Sequence, residues 1–138
     1  MAKFLESYEE FETKSNAFVI KVDRDRNVAP KKFEQSKYLN FYVRIYIDIE
    51  NSFSSKSPYQ LDDISFVKYE LHPSYLEPIR TSSDRRNNFE LKVWTYGFFP
   101  IKAIIYLKLG TSLTINGNVE FPVSEEEKKI NKEELKNN

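Results

Sequence analysis

The segment FYVRIYIDIE, residues 41–50, alternates apolar and polar side chains along its whole length. Its apolar positions are Phe41, Val43, Ile45, Ile47 and Ile49. Successive side chains of a β-strand point to opposite faces, so this period of two predicts a strand with one buried face. The β-branched and aromatic residues of the segment favour the same structure. The chain is therefore expected to build a sheet with one face against a core.

Five further segments continue this pattern along the chain. They are NAFVIKV, SFVKYELH, NFELKVW, PIKAIIYLKL and SLTINGNVEF. No long helical pattern intervenes, so we predict an all-β, antiparallel fold, either a two-sheet sandwich or a small barrel. In the last segment, Asn116-Gly117 predicts either a hairpin turn or a bulge within one strand. The longest polar connectors, predicted to be solvated loops, are NSFSSKSPYQLDD and RTSSDRRNN.

The length of 138 residues predicts one domain, with two ends that differ from the middle. We place a β-sandwich domain at residues 15–123. The N-terminal extension, residues 1–14, has aromatic residues at the spacing of a short helix. Residues 124–138 are highly charged, and Ser124 followed three residues later by Glu127 matches a capping box. This last segment is expected to be a short C-terminal helix or a disordered tail.

Composition excludes several classes of function. The chain has no Cys, which excludes disulfides, thiol nucleophiles and Cys-ligated zinc, and its single His gives no basis for a metal or cofactor site. Lys and Arg together number 21, as do Asp and Glu. The resulting zero net charge argues against electrostatic binding to nucleic acid. The sequence has no apolar run of the roughly 20 residues that span a membrane. It has no signal-peptide pattern at its N-terminus, so we expect a cytoplasmic protein.

Two short motifs stand out in the remaining sequence. LHPSYLEP, residues 71–78, contains the single His72, and WTYGFF, residues 94–99, places aromatic residues around Gly97. Each has a plain structural interpretation, the first as a strand exit that ends at proline and the second as a core-filling loop. A hydrolytic triad is not indicated, because no third group is placed to orient His72 beside Ser74. We therefore predict that the chain is not an enzyme.

Taken in order, the two motifs resemble a known family. VKYELHPSYLEPIR is followed by FELKVWTYGFFPIKAIIYLKLG, so a strand, LHPSY, a basic loop and an aromatic–Gly turn succeed one another over residues 64–109. This pattern resembles the YEATS domain, most closely its prokaryotic branch. The resemblance implies an immunoglobulin-like antiparallel β-sandwich, which agrees with the strand count. It also implies a reader of acylated lysine, in which a flat acyl-amide enters between two aromatic rings.

The resemblance assigns roles to particular residues. Tyr75 matches the first aromatic wall and Tyr96 the second. Ser74 matches the hydroxyl that bonds the amide, and His72 matches its support. The backbone of Tyr96 and Gly97 would face the acyl group. Stacking between the rings would stabilise a planar amide. Its buried polar groups need hydrogen-bond partners, which a hydroxyl and an N–H supply.

Some positions depart from the family pattern. Thr95 belongs to the predicted site, but the family usually has Gly there, and the Thr side chain would crowd the channel. Phe98, after Gly97, would plug the slot. Phe33 and Tyr38 are candidates for a further aromatic wall from the loop before the second predicted strand.

These observations leave three functional hypotheses. The first is a non-enzymatic binding module whose partner is an acylated-lysine peptide or another protein. The alternative is a protein–protein interaction domain of a bacterial defence or signalling system, without acyl-lysine activity. The third is nucleic-acid binding through Arg80, Arg85 and Arg86, against which the zero net charge argues. Otherwise these arginines would hold an acidic partner segment next to the pocket or form a solvated loop.

Overall fold

All six segments with a period of two form β-strands. The computed structural model describes residues 17–34, 37–49 and 59–136, with side chains up to residue 131. Its strands are β1 Phe18–Arg24, β2 Lys31–Lys32, β3 Leu39–Ile49, β4 Ile64–Glu70, β5 Ile79–Ser82, β6 Leu91–Thr95, β7 Phe99–Leu107 and β8 Ser112–Val119. One α-helix, α1, spans Glu125–Lys136 of the described residues, and single 3-10 turns occur at Leu61–Asp63 and Arg85–Asn87. The predicted extension at residues 1–14 lies outside the described residues.

The strands form two four-stranded antiparallel sheets. In the first sheet the order is β1-β3-β2, and β6 also pairs with β3. In the second sheet the order is β5-β4-β7-β8. The long strand β3 is central to the first sheet, since Val43 pairs with Arg24 of β1 on one side and with Val93 of β6 on the other. The architecture is therefore a two-layer sandwich rather than a barrel.

The core lies between the two sheets and follows the alternation of the sequence. Between residues 41 and 48 of β3 the odd-numbered side chains are buried, and the even-numbered ones are only half-buried. The facing sheet contributes, among others, Val67, Tyr69, Ile105 and Leu113. Each large apolar side chain that is fully buried contributes roughly 1.5–3 kcal/mol of transfer free energy, so these two inner faces hold the sheets together.

The prediction of a hairpin or a bulge at Asn116-Gly117 is wrong. β8 passes through both residues in unbroken register, with Gly117 opposite Ile101 of β7. The glycine serves packing instead, because a Cβ at Gly117 would lie 3.2 Å from Cβ of Ile20 in the opposite sheet. Its missing side chain therefore lets β1 and β8 approach closely. The register shift in this sheet lies between Ile64 and Phe66 of β4.

The segment RTSSDRRNN is not wholly a loop, as its sequence had suggested. Its first three residues belong to β5, which pairs with β4 from Val67↔Ser82 to Glu70↔Ile79. β5 lies at the edge of the sheet, and none of its residues is buried. Its side chains are therefore mostly polar, and its sequence shows no strand pattern. Most of the predicted loop at residues 51–63 lies outside the described residues, and its end forms a 3-10 turn.

The C-terminal segment forms a helix that begins with the predicted capping box. The N–H of Glu127 donates to Oγ of Ser124, and the N–H of Ser124 donates to the Glu127 carboxylate. The same carboxylate accepts two bonds from the Arg24 guanidinium at the end of β1, at 2.8 and 2.6 Å. The helix is therefore anchored to the sandwich. Within the described part of the chain, no helix has the length and apolar character needed to cross a membrane.

Acidification from about pH 4.5 to about pH 2 is expected to release α1 from β1. The hydrogen bond from Arg24 lowers the pKa of Glu127 from its ordinary 4.5 to about 2. Because the pKa is lower in the folded state, the stabilisation is complete above the unfolded value and is lost as the pH falls through the folded one. NMR titration of the Glu127 carboxyl carbon and of the α1 amides measures the release. If Glu127→Gln shows the same acid transition of α1, the ion pair is not its cause.

Candidate functional site

Two loops and the beginning of β3 meet at one end of the sandwich. The LHPSYLEP loop follows β4, whose last residue Glu70 pairs with Lys102 near the start of β7. The TYGFF turn joins β6 to β7 at this same end, and Thr95 of β6 pairs with Phe41 near the start of β3. The antiparallel order of the strands therefore brings together motifs that are separated by about twenty residues in sequence.

A cleft of about 570 Å³ opens between these loops. Its lining residues are Lys37, Tyr38, Asn40, His72, Ser74, Tyr75, Trp94, Thr95, Tyr96, Gly97, Phe98 and Phe99. The structure thus places the six predicted ligand-binding residues around one cavity. Tyr38, which the sequence offered only as a candidate, also lines it, whereas Phe33 does not and instead packs edge-on against the Trp94 ring.

His72 and Ser74 form a hydrogen-bonded pair within the LHPSY loop. The main-chain N–H of Ser74 donates to Nδ1 of His72 at 3.1 Å, so this ring nitrogen acts as an acceptor. Oγ of Ser74 lies 2.8 Å from the same nitrogen. In the tautomer whose Nδ1 carries no proton, the Ser74 hydroxyl donates to His72, and its oxygen retains lone pairs that can accept a hydrogen bond.

Tyr75 is fixed at its hydroxyl end. The hydroxyl donates to the main-chain carbonyl of Trp94 at 2.7 Å, and the ring packs at a tilt on Phe99 with centroids 5.7 Å apart. The Arg80 guanidinium lies over the ring, 5.6 Å from its centroid. Burial raises the pKa of the Tyr75 hydroxyl, so this group remains a neutral donor at physiological pH. Tyr75 thus presents a positioned ring to the cleft.

The Tyr96 ring has an aromatic neighbour in the cleft wall. Its ring stacks on Tyr38, with centroids 4.8 Å apart and planes 19° from parallel. Among the described residues, no ring contact joins Tyr96 to Tyr75. Both rings line the cleft without touching, and a planar group stacked between two rings needs a ring separation of about 7 Å. The sequence signal for Tyr38 was an aromatic residue just before the long strand β3.

The main-chain N–H of Tyr96 lies just beyond the end of β6. The main-chain groups of a strand turn to alternate sides at successive residues. The carbonyl of Trp94 turns to the open edge of β6, where it accepts the Tyr75 hydroxyl. By the same alternation the N–H of Tyr96, two residues later, is expected to turn to this edge, and no hydrogen bond within the described residues uses it. Because Tyr96 lines the cleft, its N–H is a candidate main-chain donor there.

Thr95 shapes the turn between β6 and β7. Its buried hydroxyl donates to the Gly97 carbonyl at 2.7 Å and accepts from the Gly97 N–H at 3.3 Å. Thr95 is not among the non-glycine residues with positive φ, so the position does not require glycine. The Phe98 ring is half exposed and packs edge-on against Phe121, with centroids 5.0 Å apart. Both side chains remain at the wall of the cleft.

The three candidate arginines do not lie together. Arg80 lies beside the cleft, where its Nε donates to the main-chain carbonyl of Glu77. Arg85 and Arg86 follow β5 and precede β6, which places them at the opposite end of the sandwich. Arg85 pairs there with Asp62, and Arg86 pairs with Asp84. The suggestion that all three border the pocket is therefore wrong, because antiparallel strands carry the ends of β5 away from each other.

The lining suits a neutral, planar and polar group. None of the described residues that line the cleft is Asp or Glu, and Lys37 contributes a cation. In the part of the chain that the structure describes, no three His, Asp or Glu side chains are grouped to hold a metal ion. The cleft offers aromatic faces, one hydroxyl acceptor and one N–H donor. These features define the class as a small antiparallel β-sandwich domain with an aromatic-lined cleft at its loop end.

Comparison with known proteins identifies the family. The family model of the prokaryotic YEATS domain matches residues 41–120, more than half of the chain. The chain therefore belongs to the prokaryotic YEATS family, as its two motifs had suggested. No match was found among curated protein sequences. The matched range includes both cleft motifs but neither Tyr38 nor α1.

Solved YEATS domains share the fold. The yeast AF-9 homolog Yaf9 is 18% identical, with a TM-score of 0.53 over 82% of this chain and 81% of that chain. The Yaf9 YEATS domain recognizing an H3K122suc peptide is 17% identical, with a TM-score of 0.52 over 80% of this chain and 72% of that chain. The Yaf9 YEATS domain bound to H3K27ac is 16% identical, with a TM-score of 0.52 over 78% and 76%. These likenesses confirm the predicted immunoglobulin-like β-sandwich.

Proposed function

We propose that this chain is a non-enzymatic binding domain that accepts an acylated lysine, or a similar flat amide, in the cleft. The observation that carries the proposal is the pairing of an acceptor with a donor at the cleft wall. With Nδ1 of His72 as its acceptor, the Ser74 hydroxyl keeps lone pairs for a ligand, and no hydrogen bond within the described residues uses the N–H of Tyr96. A secondary amide has one N–H and one C=O, and it can bond to both groups at once.

The aromatic residues supply the apolar part of the site. Tyr75 is held by its hydroxyl and by Phe99, and Tyr96 is backed by Tyr38. The faces of these rings can stack on a planar acyl-amide. The cleft would therefore bind the flat group by its two faces and by its two polar atoms.

Charge favours an acylated over an unmodified lysine. An ammonium group entering the cleft would lose water, meet no carboxylate among the lining residues and share the space with Lys37. Acylation removes that charge and replaces it with an amide. Support also comes from the family, since solved Yaf9 domains bind H3K27ac and recognise an H3K122suc peptide.

The first experiment is an NMR titration of the full chain with matched lysine, acetyl-lysine and crotonyl-lysine peptides. We expect saturable shifts of the Ser74, Tyr75 and Tyr96 amides with the acylated peptides and none with the unmodified peptide. Tyr96→Ala should abolish them, whereas Arg86→Ala, at the opposite end of the sandwich, should not. Equal shifts with the unmodified peptide, or no shifts with any peptide at millimolar concentration, would contradict the proposal.

A second candidate function is a protein–protein interaction domain of a bacterial defence or signalling system. The observation that favours it is the exposure of apolar side chains beside the cleft, with Leu76 96% and Phe98 56% exposed. Leu76 does not line the cleft. Leu76→Ser would therefore lower the affinity for a protein partner that covers this surface. It would leave the affinity for a short acyl-lysine peptide unchanged.

A further inference from the structure

The side chain of Asn131 in helix α1 bonds to the first residue of β3. The N–H of Leu39, the first residue of β3, donates to Oδ1 of Asn131 at 2.7 Å. Nδ2 of Asn131 in turn donates to the Leu39 carbonyl at 3.5 Å. The neighbours of Leu39 on either side, Tyr38 and Asn40, both line the cleft. The helix therefore bonds the main chain of the segment that forms one cleft wall.

The position of Asn131 has a clear physical reason. Pairing between β3 and β6 ends at Phe41↔Thr95, because β6 then turns into the TYGFF segment. Leu39 lies beyond this last pair, where no residue of β6 continues the ladder. The carboxamide of Asn131 supplies one acceptor and one donor, as a neighbouring peptide group would. It satisfies main-chain groups that are costly to leave unpaired in a partly buried place.

A second anchor keeps α1 in position. Glu127 holds the Arg24 guanidinium in a two-bond ion pair, and the Arg24 side chain is only 7% exposed. Glu127 and Asn131 are four residues apart, so they lie on one face of the helix. That face is turned to the sandwich, with one anchor at the end of β1 and the other at the start of β3.

The wall that α1 reaches includes the ring behind Tyr96. Tyr96 is 55% exposed, and Tyr38 stacks against it. Nδ2 of Asn40 also donates to the Tyr38 carbonyl at 2.9 Å, which ties Tyr38 to the start of β3. A stacked neighbour limits the orientations of an exposed ring, and a ring that is already ordered loses less entropy when a ligand binds.

We propose that α1 braces the cleft, with Asn131 acting as a positioning residue that holds Tyr38 against Tyr96. This brace lies outside the range matched by the family model, which ends at residue 120. Its effect on ligand affinity rests on the proposed function, whereas its effect on the two tyrosine rings does not. Asn131 itself does not line the cleft.

The test replaces Asn131 by alanine in the full chain and has two readouts. Alanine is the strongest helix former, so the substitution removes the bonds to Leu39 without lowering the helix propensity of α1. Without ligand, the aromatic NMR signals of Tyr38 and Tyr96 should shift towards those of unstacked rings. With an acetyl-lysine peptide, the affinity should fall about three- to tenfold. Glu126→Ala, on the exposed surface of α1, is the matched control and should change neither readout.

The outcomes separate the brace from the proposed ligand. Unchanged tyrosine signals in a folded Asn131→Ala protein would overturn the brace, whatever the peptide result. If Asn131→Ala shifts the tyrosine signals but the wild-type chain binds no acylated peptide, the brace would be supported and the proposed function refuted. If Asn131→Ala does not fold, Tyr38→Ala removes the stacked ring without touching α1. That variant should reproduce the loss of affinity, and an unchanged affinity would overturn the brace.

Discussion

Replacing Ser74 by alanine is expected to weaken the binding of an acetyl-lysine peptide about three- to tenfold. The amide N–H of the ligand would lose its acceptor, and because Ser74 is exposed, the loss should be about the net 0.5–1.5 kcal/mol of one hydrogen bond. Stacking on Tyr75 and Tyr96 would be unaffected, so the peptide should still bind weakly at the same place. Isothermal titration calorimetry gives the affinity, and the amide shifts of Tyr75 show whether the site is still the cleft.

Two further variants make this result specific. Ser83→Ala changes an exposed serine at the opposite end of the sandwich and should leave the affinity unchanged. His72→Ala keeps the Ser74 hydroxyl but frees its rotation. The loss of peptide affinity should therefore be smaller than for Ser74→Ala. Equal affinities of the wild-type and Ser74→Ala proteins would mean that the hydroxyl does not bond the ligand, even if the peptide binds in the cleft.

The fold was predictable from the sequence wherever burial requires a regular pattern of apolar residues. In β3 every inward side chain is apolar, and this alternation predicted the strand with its buried face. β5 shows no such alternation, because an edge strand with half-exposed residues does not need apolar side chains. β2 has only two residues, too few to show any period. The sequence therefore predicted the strands that build the core and missed those that only extend the sheet edges.

The same distinction applies to the cleft. His72 and Ser74 are two residues apart, so their contact was within reach of local reasoning. The stacking of Tyr38 on Tyr96 and the bonds from Asn131 to Leu39 join residues far apart in sequence. Such contacts depend on where β6 leaves β3, which no short motif encodes. The family motif accordingly indicated the contact of His72 with Ser74 but not the stacking of Tyr38 on Tyr96.

A strained connection precedes β6 at the end of the sandwich opposite the cleft. Asn88 and Phe89, just before β6, both have positive φ values, 58° and 57°. This conformation is uncommon for residues other than glycine, and for a bulky side chain it is a genuine outlier. Phe89 is fully buried, and its carbonyl accepts a hydrogen bond from the buried Tyr69 hydroxyl at 2.7 Å. Tyr69 of β4 thus ties the start of β6 to the opposite sheet.

Replacing Tyr69 by alanine is expected to lower the free energy of unfolding by about 3–5 kcal/mol, since a large buried ring and its hydrogen bond are both lost. Tyr69→Phe isolates the hydrogen bond, and its loss should account for about 1–3 kcal/mol, because the Phe89 carbonyl would remain buried without its donor. Chemical denaturation followed by circular dichroism measures both values. The matched control is Tyr106→Phe, whose half-buried ring stacks on Phe66 and whose hydroxyl bonds to nothing within the described residues. If Tyr69→Phe costs no more than this control, the hydroxyl does not hold the strained connection, and packing alone must fix the start of β6.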